Sequence, residues 1–290
     1  MLEASREVVY VNEPLNPRRP PGRSPGVLNA KVDHRFQYIC ADNDAPWRAA
    51  YRDTLRLHYR FFAELRALRK PYDAGRMLKY ASEFAIGARR HRRALLDDPY
   101  ALYSSRWLTE QMGVRTVLLV RDPVGLLGSW KTLGWRVDLR DLLDQPLLVR
   151  DHLAPWQEDL ERAAAGDWVD QMCALWNVSH RIVDEFRTEV AGLRVWRYEH
   201  LAASPMEEFG SMYEWMGLDW STSAQQVVRD ATSTASETKG FAWSLRGGLS
   251  RTAFRPMDSA TAAKAAEGRL TPDEVRRVRD ATAEVAARFD

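Results

Sequence analysis

Residues 114–130, VRTVLLVRDPVGLLGSW, restrict the fold more than any other stretch of the chain. Thr116 to Val120 are apolar or β-branched throughout, the composition of a strand buried on both faces. The run stops at Arg121-Asp122-Pro123, and a helical pattern follows that carries Ser129, eight positions after the arginine. Asp122 suits the N-cap of that helix and Pro123 its first position. A buried strand passing directly into a capped helix is the repeating unit of α/β proteins, whose ligands gather at the carboxyl ends of the strands. Ser129 lies about 9 Å further along the helix axis than Pro123. An arginine fork and a hydroxyl so spaced can hold one phosphate group from two sides. Equally, Arg121 can pair with a surface carboxylate while Ser129 is only a small helix residue. The residues alone leave both readings open.

The rest of the chain alternates in the same way. EVVYV (7–11) reads as a buried strand, followed by a Pro- and Arg-rich loop at 12–26. An apolar stripe at helical spacing covers 47–68. ALLDDP (94–99) reads as a strand end, 100–113 as a helix stopped by Gly113, and 141–163 and 167–190 as helices. LRVWRYEHL (193–201) is a fourth strand. Ser204-Pro205-Met206-Glu207 and Thr271-Pro272-Asp273-Glu274 follow the capped-start pattern and predict helices at 205–217 and 272–288. Between them, 238–256 is a Gly- and Arg-rich ordered loop. With no repeat and no low-complexity linker, the expectation is one α/β domain over 1–290, with a mainly parallel sheet flanked by helices.

Charge bears on partners. Forty-two basic residues stand against 40 acidic ones, a net charge of +2, which excludes a generally polybasic nucleic-acid binder but allows a local anion site. Cys40 and Cys173 are in no metal-ligand spacing, so two free thiols in a reducing compartment are expected and no metal. No stretch has the roughly 20 apolar residues of a transmembrane helix, and no signal-peptide pattern opens the chain. A cytoplasmic protein is expected.

VLLVRDPVGLLGSW resembles the 3′-phosphate-binding motif of sulfotransferases that use 3′-phosphoadenosine-5′-phosphosulfate (PAPS). Four further segments agree in order. VVYVNEPLNP resembles that family's Glu-Pro loop, LLDDPYAL its Lys-Asp-Pro strand end, VWRYEHLAASPMEEFGSMYEWMGL its Tyr-Glu-Asp-Leu strand and helix, and SLRGGLSRTAF its nucleotide-closing loop. The resemblance implies a P-loop-like α/β fold and transfer of a sulfuryl group from PAPS to a hydroxyl of a carbohydrate, lipid or small metabolite, leaving 3′,5′-ADP. It places Arg121 and Ser129 on the 3′-phosphate, Tyr198 near the adenine, Arg246 and Arg251 in the closing loop, and Glu13 as the base that takes the acceptor's proton. Pro14 favours an extended Glu13; the competing reading pairs Glu13 with Arg18 or Arg19.

Two departures stand out. Asp97 occupies the place of the family's lysine, so it is either a second base or a sign of weakened catalysis. The family's opening strand and its 5′-phosphosulfate loop have no counterpart ahead of residue 7, so the expected fold lacks its first strand, and the natural protein is expected to be longer. The alternatives are a catalytically silent nucleotide-binding relative and a P-loop kinase. The kinase is disfavoured because no G-x-x-x-x-G-K-[ST] occurs. Trp130, Trp135, Tyr59, Phe61 and Phe62 are candidates for an acceptor pocket or, equally, for the core.

Overall fold

A computed structural model of the chain describes residues 1–19, 26–232 and 268–290. The elements run β1 (Val8–Asn12), α1 (Ala45–Leu55), α2 (Phe61–Ala67), α3 (Pro71–Arg89), β2 (Arg93–Asp97), α4 (Ser105–Met112), β3 (Thr116–Val120) and α5 (Pro123–Leu133). Then come α6 (Arg140–Leu143), α7 (Pro146–Leu148), α8 (Gln157–Ala164), α9 (Trp168–Glu189) and β4 (Leu193–Arg197). The chain closes with α10 (Tyr198–Ala203), α11 (Pro205–Met216), α12 (Thr222–Thr232) and α13 (Pro272–Ala286). No described helix is long and apolar enough to cross a membrane.

The α/β class and the parallel pairing are as expected, but the single sheet is not. β1 pairs with β2 (Val9 opposite Ala94) and β3 with β4 (Leu118 opposite Val195), and the two pairs are separate two-stranded sheets. Each strand therefore pairs along one edge only among the described residues. Among the described residues no third strand flanks either pair. On β3, Leu119 is 57% exposed, unusual for a parallel strand, which is normally enclosed.

The stripe at 47–68 forms two helices rather than one. Leu57 takes a left-handed φ of 59° and is buried with Val9, Val11 and Phe84, so the chain turns there and restarts at Phe61. The sequence reading placed no helix at α3, although Asp73, Met77, Phe84 and Gly87 fall on one buried face. α12 was also unanticipated. Thr271 and Glu274 form the predicted capping box, whereas Ser204 makes no capping bond ahead of α11. Cys40 and Cys173 are free.

The largest core cluster forms around α9, whose start is fixed by Asp167 accepting from the amides of Val169 (2.9 Å) and Asp170 (3.1 Å). Arg277 of α13 forks onto Asp167 at 2.7 and 2.9 Å and reaches Asp170 at 2.7 Å. The second cluster, with Leu15, Trp47, Tyr51 and Trp107, lies under β2; α3 packs its Gly87 against β1.

Two expectations follow from this packing. A methyl group at Gly87 would overlap Val9 and come within 2.8 Å of Leu57, so Gly87→Ala should cost about 1–3 kcal/mol in urea unfolding. His180 is buried against Trp176, with ring centroids 3.9 Å apart; burial pushes its imidazole down to about 4, against a smaller upward pull from the Trp176 carbonyl. Its folded value lies below the unfolded one, so its contribution is complete above about pH 6.5 and is lost as pH falls toward about 4. The slope is at most about 1.4 kcal/mol per pH unit. Unfolding measured across that window should show this loss, and His180→Phe should flatten it.

Candidate functional site

β3 delivers Arg121 to its carboxyl end, and the residues after it fix where the guanidinium lies. Asp122 caps α5 by accepting from the Gly125 amide at 2.9 Å, and its own N–H donates to Glu199 Oε1 at 2.9 Å. That second bond ties the end of β3 to the first turn of α10. Arg121 folds back along α5 and donates through Nη1 to Ser129 Oγ at 3.3 Å. The serine hydroxyl donates to the Gly125 carbonyl at 3.1 Å, which turns its lone pairs toward the arginine. Gly125 leaves room for this: an added Cβ would sit 3.5 Å from Arg121 Nε and 3.7 Å from Nη2. Tyr198, which opens α10 rather than ending a strand, lies beneath the guanidinium, its ring centroid 4.5 Å from Cζ.

A second guanidinium reaches the same hydroxyl. Arg269 Nη1 is 3.4 Å from Ser129 Oγ, carried there by the turn that leads into α13. α13 is held beside α5 by Lys131, whose Nζ donates to both Glu274 oxygens at 2.6 Å; this contact lowers the Glu274 carboxyl below its ordinary value. Among the described residues neither Arg121 nor Arg269 forms an ion pair, so Arg121 has no carboxylate partner of the kind one sequence reading required. Two cations converge on one neutral hydroxyl, and among the described residues neither has an ion-pair partner. A bound anion, accepting from both guanidiniums, would relieve their mutual repulsion.

The second group of predicted residues lies on the other strand pair. Glu13 follows β1, and its N–H donates to the Asp97 carbonyl at 2.9 Å. Its backbone is not extended: φ is +45°, a left-handed value that costs a glutamate energy, imposed by the tight turn in which the Asn16 amide donates to the Glu13 carbonyl at 3.0 Å. Glu13 Oε2 accepts from Asn16 Nδ2 at 2.7 Å. The bonds of Arg19 run to the Leu28 and Ala30 carbonyls. Asp97 accepts from the Tyr10 hydroxyl at 2.6 Å. Asp98 accepts from the amides of Leu15 (2.6 Å) and Tyr100 (3.0 Å); burial pushes it up to about 7 against the pull of those two bonds.

Arg121, Ser129 and Tyr198 are therefore brought together, Glu13 stands at the end of the separate β1–β2 pair, and Arg246 and Arg251 lie outside the described residues. Arg269 and Tyr10 escaped sequence reasoning. Tyr10 alternates outward on a strand beside Asp97, a signal present in the pattern, whereas nothing in the spacing of Gly268-Arg269-Leu270 announces a ligand. The aromatic candidates divide: Trp130 and Trp135 stack on each other at 6.2 Å, Tyr59 packs on Phe84, and Phe61 and Phe62 are exposed. No group of three or more metal-ligating side chains occurs among the described residues.

Comparison with protein-family models, with curated proteins and with solved structures finds no match to this chain.

The geometry at Gly125 can be tested directly. Gly125→Ile drives side-chain atoms into the Arg121 guanidinium and should weaken binding of inorganic pyrophosphate about tenfold or more by calorimetry. Gly125→Ala, whose Cβ meets nothing closer than 3.5 Å, should leave it unchanged.

Proposed function

We propose that this chain binds the 3′-phosphate of PAPS and of its product 3′,5′-ADP, and that it serves sulfuryl transfer to a hydroxyl of a carbohydrate, lipid or small metabolite. The observation that carries the proposal is the convergence of Arg121 and Arg269 on Ser129, neither in an ion pair among the described residues, beside the Tyr198 ring at the end of a parallel strand. Charge-assisted bonds of this kind contribute about 1.5–3 kcal/mol each. A 3′-phosphate is the group that separates PAPS from ATP, which is why the kinase reading is not preferred. Tyr198 already carries the Arg121 guanidinium on one face, and its place in the proposal is to hold that cation in position next to the nucleotide.

In the proposed reaction the acceptor oxygen forms a bond to sulfur as the bond to the 5′-phosphate oxygen breaks, and 3′,5′-ADP leaves. Glu13 takes the acceptor's proton. Its carboxylate is oriented by the bond that Asn16 Nδ2 donates to Oε2 at 2.7 Å, rather than by Pro14. The proposal includes the finer architecture as well: a further parallel strand lying between β2 and β3 would join the two pairs into one P-loop-like sheet and cover Leu119. The single-edge pairing of all four strands supports that reading. A cytoplasmic location belongs to the same proposal.

A second reading, nucleotide binding without transfer, is favoured by one observation. Asp97 stands where the resemblance calls for a lysine, and it is bonded to Tyr10. A cation that would approach the transferring group is thus replaced by a carboxylate.

Calorimetric titration separates these readings. 3′,5′-ADP should bind and ATP should not compete; Arg121→Ala should weaken 3′,5′-ADP about ten- to a hundredfold. Incubation with PAPS and a panel of hydroxyl acceptors, read by mass spectrometry, should give sulfated product that Glu13→Gln abolishes while 3′,5′-ADP binding persists. Binding without any product would select the second reading, and equal binding of ATP would remove both.

A further inference from the structure

We propose that α2 and α3 form a peripheral docking face for an anionic lipid surface. Two separate distributions coincide there. Residues 60–90 hold eight basic residues against three acidic ones, a larger surplus than the +2 of the whole chain. Two of those acids are spent inside the protein. Glu64 is buried and accepts from the Gly26 amide at 2.7 Å, and Asp73 is buried and caps the start of α3 through the amides of Arg69 and Lys70. Arg66, Arg69, Lys70, Arg89 and Arg90 are exposed and form no ion pair among the described residues. Those five charges are uncompensated by ion pairs among the described residues.

The second distribution is apolar. Six of the ten large apolar side chains that stand exposed on the described surface fall in this segment: Phe61, Phe62, Leu65, Tyr72, Leu78 and Ile86. On α2, residues 61, 62 and 65 share one side of the helix, with Arg66 next to them, and Phe62 is 72% exposed. On α3 the face that packs inward carries Met77, Phe84 and Gly87, so Leu78 and Ile86 fall on the solvent side, near Arg89 by helical spacing.

The charge decides the occupant. A protein-binding patch draws its energy from a desolvated centre depleted of charge. Here exposed aromatic and aliphatic side chains stand among long cations of one sign, five of which form no ion pair among the described residues. That is the arrangement of helices that lie in a membrane interface, with aromatic and leucine side chains entering the acyl boundary and Arg and Lys reaching back to anionic headgroups.

The test is flotation of the full chain with phosphatidylcholine vesicles, with and without phosphatidylserine. Binding is expected only with phosphatidylserine and should disappear in high salt. The double change Phe62→Ser with Leu65→Ser should lower the bound fraction about tenfold or more, with the circular dichroism spectrum unchanged because both side chains face solvent. Arg66→Glu with Arg69→Glu should do the same. Absence of flotation, or flotation that neither pair of changes affects, would overturn the proposal. So would a dimer in light scattering that Phe62→Ser with Leu65→Ser dissolves, since the face would then belong to a second copy of the chain.

Discussion

The burial of one side of α9 is what the described structure depends on most. Two strands make too little sheet to be stable alone, and a parallel pair needs cover that its own backbone bonds cannot supply. α9 supplies it for β3 and β4. Its inward side chains, Met172, Trp176, Ile182 and Phe186 among them, fill the largest core cluster, and Val120, Leu127 and Leu193 pack into the same cluster. The capped start at Asp167 matters because Arg277 reads the same carboxylate. One side chain thus sets where α9 begins and where α13 lies against it.

From that frame the Arg121–Ser129–Arg269 cluster follows with few further choices. β3 ends, Asp122 caps α5, and the Arg121 guanidinium lies close over Gly125. The arginine lies along the helix, and the serine two turns on becomes its partner. α13 then brings Arg269 to that serine from 140 residues further along the chain, with the Lys131–Glu274 contact closing the gap between the helices.

How far the sequence carried this can be judged residue by residue. The strand–Arg–Asp–Pro–helix unit was legible because each position has a local physical reason: β-branching, capping, a fixed φ. Thr271 and Glu274 were legible for the same reason. The break at Leu57 was not, because the apolar stripe continues through it and only burial beside Val9 and Phe84 dictates the turn. α3 was overlooked although its period is regular, since its outward face is itself rich in apolar residues and blurs the contrast that marks an amphipathic helix. The conformation of Glu13 was misread because a local preference, Pro14 favouring an extended neighbour, gave way to a turn closed by Asn16. Arg269 depends on how α13 packs, which no local pattern encodes.

The meeting of Arg121 and Arg269 at one hydroxyl has a kinetic consequence. The two arginines belong to segments far apart in the chain, and the ligand that accepts from both would act as a removable brace between α5 and the lead into α13. As proposed, such a ligand would have to lose the Arg269 contact as well as the Arg121 one to depart, so its departure and any movement of the lead into α13 would be coupled. A cluster assembled in this way ties the behaviour of any proposed ligand to the packing of α13 against α5.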